Sequence, residues 1–566
     1  MKNGHPKPLR QTWIVLLIFL LPLISCQEKN EISLQGTWRF TMDTADVGIK
    51  EQWYLHKPGD RIQLPGSMAG NNKGLDISTE TQWTGQIIDQ SWYFDSIYAP
   101  YRQPGNIKIP FWLTPVKHYV GPAWYQKRLT IPEDWQGHPV EIYLERTHWE
   151  VMAWLDSMYI GKRNSLGTPN IFELTNIEPG THTLTLRVDN RIKIDVGVNA
   201  HSVSDHTQTN WNGLIGKLAI RKNPDFEIRN VAVYPDMKDQ SAKIVLEVYN
   251  HTGEPSNTTL NAVATGEYDY KRHLPPPVEE TIKLDPGPNS ITARYKLGPE
   301  MMTWDEFEPA IYSLVVSVGS GHQYDQCSTV FGMREISIEG TQFNLNGRKI
   351  MLRGTLECAI FPITGYPPTS VSAWKKNFKA AKEYGLNHIR FHSWCPPEAA
   401  FQAADELGLY LQVECGAWAT IGNGEPIDAF IMEESNRIVN AYGNHPSFCL
   451  FAYGNEPGGQ KQAEYLTDFI HYWKEKDNRR VYTGAAGWPV LEANDYHNIP
   501  EPRGHMWGAG LRSRFNRAPL NRNYDYSHVI DRFAKPVVSH EIGQWCVFPD
   551  LTEIDDYKGI LKAKNF

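Results

Sequence analysis

The 566-residue chain reads as a multidomain protein, all-β first and α/β afterwards. Three observations predict this. Up to about residue 337, short runs of alternating apolar and polar residues recur between turn residues, without long helical periodicity. From about residue 338, strand-length apolar runs alternate with helix-length amphipathic segments, the order that builds a parallel sheet. Two of those late runs, Phe451-Ala452-Tyr453-Gly454-Asn455-Glu456 and Pro536-Val537-Val538-Ser539-His540-Glu541, end in a glutamate. A buried parallel strand reads this way when it delivers a carboxylate to the mouth of a barrel.

Taken in order, the chain opens on a targeting segment, residues 1–26. Lys2, Lys7 and Arg10 precede an apolar stretch at 13–24 that is short for a membrane span. Leu23-Ile24-Ser25-Cys26 resembles the end of a bacterial lipoprotein signal. The expectation is cleavage before Cys26, lipid on that residue, and a protein tethered to the cell envelope in the periplasm or on the outer surface. An ordinary secretory signal with an incidental cysteine is the alternative. Residues 27–225 carry runs such as Val140-Glu141-Ile142-Tyr143-Leu144 and predict a jelly-roll sandwich. Residues 226–337, with Ile244-Val245-Leu246-Glu247-Val248 and a stiff Pro275-Pro276-Pro277 loop, have the length of an immunoglobulin-like sandwich.

Residues 338–566 predict a (β/α)8 TIM barrel, with an open sheet as the alternative that periodicity leaves open. Strands are expected at 350–357, 386–392, 409–415, 448–456, 481–485, near 495–497, and at 537–541. Helices are expected at 370–384, 397–407, 430–442 and 463–476, the first three stopped by Gly385, Gly408 and Gly443. The chain ends at Phe566, soon after the seventh strand, so the barrel is expected to be incomplete at its C-terminus.

Net charge is -8, with 56 basic and 64 acidic residues interspersed and no basic stripe, which argues against a nucleic-acid partner. The 19 Trp and 27 Tyr suit all-β cores and also the apolar faces of sugar rings. Cys327, Cys358, Cys395, Cys415, Cys449 and Cys546 lack metal-site or disulfide spacing and read as reduced, buried small hydrophobes. No metal site or cofactor is expected. A divalent ion at His445 finds no acidic partner at a recognisable spacing, and a turn role is preferred there.

The chemistry is in the paired glutamates. Two facing carboxylates, one protonated and one ionised, are what glycosidic-bond hydrolysis requires. Each glutamate alone also fits a helix cap; together, each behind a strand-like run, they point to a carbohydrate substrate.

These residues resemble glycoside hydrolase family 2, the β-galactosidase and β-glucuronidase group. The likeness runs through Leu64-Pro65-Gly66-Ser67, Gly121-Pro122-Ala123-Trp124-Tyr125, Trp211-Asn212-Gly213-Leu214, Phe331-Gly332-Met333-Arg334, Asn444-His445-Pro446-Ser447 and Gly454-Asn455-Glu456. The resemblance implies Glu456 as general acid/base, Glu541 as nucleophile, Asn455 as a ligand of the sugar 2-hydroxyl, and Arg390 as the cation holding the nucleophile ionised. Glu414 at the end of strand three is a pocket candidate, with a structural ion pair as the competing role. Trp418, Trp488, Trp507 and Trp545 are candidate sugar platforms, and Tyr496 and His497 candidate contacts. Two departures stand out. In Arg390-Phe391-His392-Ser393-Trp394 the histidine is one place early, and a one-residue shift turns a strand side chain to the other face. Ile542 stands where an aromatic residue commonly follows the nucleophile.

The expectation is a retaining β-glycosidase acting on terminal β-linked sugars of oligo- or polysaccharides, β-galactoside-like. The alternatives are β-glucuronidase or β-mannosidase specificity on the same fold, and a non-catalytic carbohydrate-binding lipoprotein.

Overall fold

The computed structural model describes residues 30–85, 87, 89–205, 210–321, 323–504, 525–544 and 550–565. The segment at 1–26, expected from the sequence to be a targeting signal ending at Cys26, lies outside these residues, as do Trp507, Trp545 and Cys546.

The first domain is a sandwich of two antiparallel sheets. One runs in the order Glu31–Ser33, Gly213–Lys222, Val140–His148, Asn170–Leu174, with Gly66–Ser67 paired to Gly213–Lys222. The other runs Asp60–Leu64, Gly36–Met42, Pro122–Ile131, Gly180–Asp189, Glu150–Leu155, Met158–Arg163. Alternation turns Val140, Ile142 and Leu144 inward onto Trp38, Phe40, Tyr125 and Leu186. Asn212 ties the sheets together: its Nδ2 donates to the carbonyls of Gly121 (3.0 Å) and Val188 (3.1 Å), and its Oδ1 accepts from Tyr125 Oη (2.7 Å). A Cβ on the neighbouring Gly213 would come 2.4 Å from the Gly66 carbonyl oxygen, so only glycine fits.

The second domain is another antiparallel sandwich. A three-stranded sheet, Phe226–Asp236, Ser241–Asn250 and Gly287–Lys296, faces a sheet built on Ser256–Tyr268, Ile311–Ser320 and Gln323–Phe331. Leu246, Val248, Leu260, Tyr295, Leu314 and Val316 fill the space between them.

The third domain is a barrel of parallel strands. Strands one to five are Gly354–Glu357, His388–Phe391, Tyr410–Ala417, Phe448–Gly454 and Val481–Tyr482, in sequence order. Strands six and seven, His497–Ile499 and Val537–Ser539, form a parallel pair. The bond from Asp495 N to Tyr482 O (2.8 Å) carries the order from strand five to strand six. Among the described residues the barrel therefore has seven parallel strands. The helices between them are Val371–Glu383, Glu398–Leu407, Pro426–Tyr442 and Gln462–Lys476. Trp374 and Phe378 bury one face of the first, and Gly408 at φ 66° closes the second. A three-stranded sheet, Ile336–Glu339, Gln342–Leu345 and Arg348–Ile350, packs Phe343 and Leu345 against Tyr410, Val481 and Tyr496 and plugs the N-terminal end of the barrel. Ile350, expected to begin strand one, belongs instead to this plug, and strand one starts at Gly354.

Arg334 fastens the second domain to the barrel by donating to the carbonyls of Pro446 (3.0 Å), Phe448 (3.0 Å) and Arg479. The first domain reaches the opposite end of the barrel. Its two loops at 164–169 and 190–205 bond to Ser393 just after strand two, to Gly416 near the end of strand three and to the third helix, at the strands' C-terminal mouths.

Candidate functional site

The parallel strands all point their C-terminal ends at one mouth, and the site is built there. Strand four ends in Gly454, where a Cβ would sit 2.1 Å from the Ala417 carbonyl oxygen; the chain can pass only as glycine. Asn455 and Glu456 follow, held by bonds from Asn455 N to Ala417 O (3.0 Å) and from Glu456 N to Ala486 O (2.7 Å). Glu456 has φ 32°, a left-handed conformation that costs energy for a residue with a side chain. Gly487 completes the fit, since a Cβ there would meet Glu456 Cγ at 2.7 Å. His540 and Glu541 follow directly on strand seven, and both are buried.

The two glutamates meet. Glu456, His540 and Glu541 each offer one ligand atom, and these atoms all lie within 4.8 Å of one another. Their surroundings differ in kind. Glu541 accepts from Arg503 (3.1 Å) and Gln544 Nε2 (2.7 Å) on one oxygen, and meets His392 Nε2 at 3.1 Å on the other. Ser393 Oγ accepts from His201 N (2.8 Å), so its hydroxyl hydrogen is available to His392 Nδ1 (3.1 Å). That leaves the hydrogen of a neutral His392 on Nε2, aimed at Glu541. Burial, then the nearby Arg390 and His540, hold the His392 pKa well below its usual value, so the ring is neutral. Glu541 is thus surrounded by donors, the setting that favours a carboxylate. Glu456 has instead His540 Nε2 at 3.1 Å. His540 Nδ1 lies 3.2 Å from the Ile499 carbonyl, which can only accept, so Nδ1 carries a hydrogen and Nε2 of the neutral ring is an acceptor. An acceptor facing Glu456 calls for a protonated carboxyl group.

The same trio is where ligand atoms for a metal ion converge. A cation there would face the Arg503 guanidinium already on Glu541, so the donor set is better matched to protons than to a metal.

The expected site residues divide into two sets. Asn455 is in place: Oδ1 accepts from Arg390 (2.7 Å), while the buried Nδ2 has no hydrogen-bond partner among the described residues and is available to a hydroxyl group. His392, despite its early register, touches Glu541, because residues 392–393 leave the strand in a turn with Ser393 at φ 53°. Trp418 flanks His392 with ring centroids 5.3 Å apart. Trp488, 41% exposed, donates from Nε1 to the Pro457 carbonyl (2.9 Å) and presents an indole beside Glu456.

Expectations for five residues are corrected. Arg390 does not meet Glu541. It forks onto Glu414 (2.6 and 3.3 Å), and the cation at Glu541 is Arg503. Glu414 is wholly buried and also accepts from Ser393 N (2.6 Å) and Gln412 (3.1 Å); it is the structural ion pair, with no free oxygen for a substrate. Tyr496 is wholly buried, donates to Gln412 (3.1 Å) and packs on Phe343 in the plug. His497, one residue on, points the other way and lies against Phe533. His445 has an acidic partner after all, Asp405 at 2.5 Å, contributed by the second helix; this buried pair fixes the turn before strand four.

Sequence reasoning passed over Arg503, Gln544, His201 and His540. His540 was visible in the motif but overshadowed by its neighbour. Arg503 follows a poorly marked strand, and His201 comes from another domain.

Comparison with known proteins agrees with this architecture. Residues 226–334 match the family model described as glycosyl hydrolases family 2, and residues 336–496 match that family's TIM barrel domain. A β-galactosidase of Thermoanaerobacterium thermosulfurigenes is 25% identical over 517 residues, covering 83% of this chain and 69% of its own length. A β-galactosidase of Priestia megaterium is 20% identical, covering 82% of this chain but 44% of its own length. Among solved structures, a family 2 member from Bacteroides cellulosilyticus superposes with a TM-score of 0.62 at 17% identity, over 82% of this chain and 58% of its own. A β-glucuronidase from Ruminococcus gnavus gives 0.59 at 16% identity, over 80% of this chain and 72% of its own. With its two sandwiches, its barrel and these matches, the chain belongs to glycoside hydrolase family 2.

Proposed function

We propose that the chain is a retaining β-glycosidase that releases terminal β-linked sugars, β-galactoside-like, from oligo- or polysaccharides. The observation that carries this is the opposed setting of two adjacent glutamates. A carboxylate oxygen of Glu456 lies within 4.8 Å of one of Glu541. Retaining enzymes hold the two carboxyl groups about 5–5.5 Å apart, whereas inverting enzymes leave about 6.5–9.5 Å for a water molecule.

In this reading Glu541, kept ionised by Arg503, Gln544 and His392, attacks the anomeric carbon. Glu456 gives its proton to the departing oxygen. Water then attacks the glycosyl ester while Glu456 takes a proton from it, and Glu541 leaves as carboxylate. Asn455 Nδ2 is the donor for the sugar 2-hydroxyl, and Trp488 offers an apolar face to the sugar beyond the scissile bond. The β-galactoside assignment is supported by the names of the curated relatives; the resemblance to a β-glucuronidase structure concerns the fold.

Initial rates on a panel of aryl β-glycosides, with Glu541→Gln beside the native chain, test the proposal. One aglycone should be released, and its rate should fall by about 10³-fold or more in the variant. A folded native chain that releases none would overturn it.

A further inference from the structure

We propose that Glu456 and His540 share one proton, and that this pair, rather than Glu456 alone, is the acid/base group of the site. The inference rests on the glycosidase reading and adds a positioning residue to it. His540 directly precedes Glu541, and its side chain is wholly buried. The Ile499 carbonyl accepts from His540 N at 3.0 Å and lies 3.2 Å from Nδ1, so the ring is held from its own backbone and from the end of strand six. This anchor fixes the tautomer and aims Nε2 at Glu456 Oε1, 3.1 Å away.

The charged and titratable groups facing His540 come from every neighbouring element. Glu456 follows strand four. Glu541 Oε1 is 3.6 Å from Nε2, on the same strand end. Arg503, after strand six, places a guanidinium nitrogen 3.4 Å from Nε2. Arg390 on strand two donates to the His540 carbonyl (3.1 Å), and His392 bonds to Glu541. Arg503 can only donate, and so favours a lone pair on Nε2. Glu541, ionised, favours a hydrogen there. One proton between Glu456 Oε1 and His540 Nε2 satisfies both neighbours, whichever atom holds it.

The pair balances the two half-reactions. In the first, the shared proton passes to the glycosidic oxygen as the carbon–oxygen bond breaks and the Glu541 ester forms. In the second, a water proton returns to the pair as the water oxygen bonds to the anomeric carbon and Glu541 leaves. The pair, rather than either residue by itself, is then the unit that gives up and regains the proton.

Two measurements test this. The first compares His540→Phe with the native chain on aryl glycosides whose leaving groups span a wide range of acidity. The variant should lose about tenfold or more in kcat/KM on poor leaving groups, which need the proton, and little on highly activated ones. Its alkaline limb of kcat/KM should also move to lower pH. Equal losses on all leaving groups with an unmoved limb would mean that His540 only shapes the pocket, and would overturn the proposal while leaving the glycosidase reading intact. The second needs no turnover: 15N-histidine spectra, with His540 assigned by its absence in His540→Phe. The native ring should show the Nδ1–H tautomer, and its titration should shift in Glu456→Gln. An Nε2–H tautomer, or a titration indifferent to Glu456→Gln, would overturn the shared proton even if the chain hydrolyses no aryl glycoside.

Discussion

Among single residues, Glu357 shows how position sets chemistry at the mouth. It ends strand one, and its carboxylate accepts from Ala359 N at 3.1 Å. Burial pushes its pKa up to about 8 despite that bond. The consequence for stability has a definite sign. Between the ordinary value of 4.5 and about 8, the unfolded chain is ionised here while the folded chain keeps the proton. Rising pH therefore costs stability across that window, and the loss is complete above it. Glu357→Gln removes the titration. The variant should gain on the native chain between pH 5 and 8.5, by about 1–2 kcal/mol once partial exposure is allowed for. Melting temperatures of both proteins at the two pH values check this; parallel pH dependence would refute it.

At the level of elements, the turn from the fourth helix, Gln462–Lys476, into strand five is set by one carboxylate. Asp477 is buried, bonds Arg479 through Nε (3.0 Å) and Nη2 (2.7 Å), and bonds Arg480 at 2.6 Å. The Arg479 carbonyl in turn accepts from Arg334, so the junction also braces the second domain. Burial opposes the Asp477 charge, but the two guanidinium groups and their bonds outweigh it and hold the pKa below its ordinary 3.8. Stability from a depressed carboxyl is present above its unfolded value and lost as pH falls. Asp477→Asn should cost about 3–5 kcal/mol at neutral pH, because it leaves buried arginines without a counter-charge. That deficit should narrow only below about pH 4, where the native Asp477 also begins to lose its advantage. Denaturant midpoints across pH measure both. Much of this level was legible in the sequence. The helices stopped by Gly385 and Gly408, and the strand closing on Gly454-Asn455-Glu456, follow from local rules of capping and close approach. Strand six did not yield in the same way. It has three residues, too few to show a period, so Tyr496 and His497 were assigned to the pocket when one faces the plug and the other Phe533. Arg390 and Glu414 were read separately because nothing in either strand announces that the two side chains meet.

For the molecule as a whole, the site is completed by a domain that carries none of its glutamates. His201 of the first sandwich stacks on His392 at 4.3 Å between ring centroids, and its backbone N–H orients Ser393. No local pattern could reveal this, because the partners are nearly two hundred residues apart and owe their meeting to the docking of two folds. The docking depends on Glu434 of the third helix, Pro426–Tyr442. Wholly buried, it accepts from Leu166 N (2.9 Å), Gly167 N (2.7 Å) and Ser165 Oγ (2.9 Å) on one oxygen, and from Arg437 (3.1 Å) on the other. Arg146 reinforces it by donating to the Cys395 carbonyl at 2.9 Å. A carboxylate is suited to this place because every neighbour is a donor. Glu434→Gln keeps the shape but turns an amide hydrogen toward donors on one side or the other. It should cost about 2–4 kcal/mol and loosen the 164–169 and 190–205 loops over the barrel mouth. If those loops together position His392 through His201 and Ser393, the variant should lose kcat/KM at temperatures where the barrel is still folded. Activity and near-ultraviolet circular dichroism followed together on heating test the coupling: activity should decline several degrees before the barrel's aromatic signal in the variant, and with it in the native chain. Coincident loss in both would mean that the first domain stabilises the barrel without shaping its site.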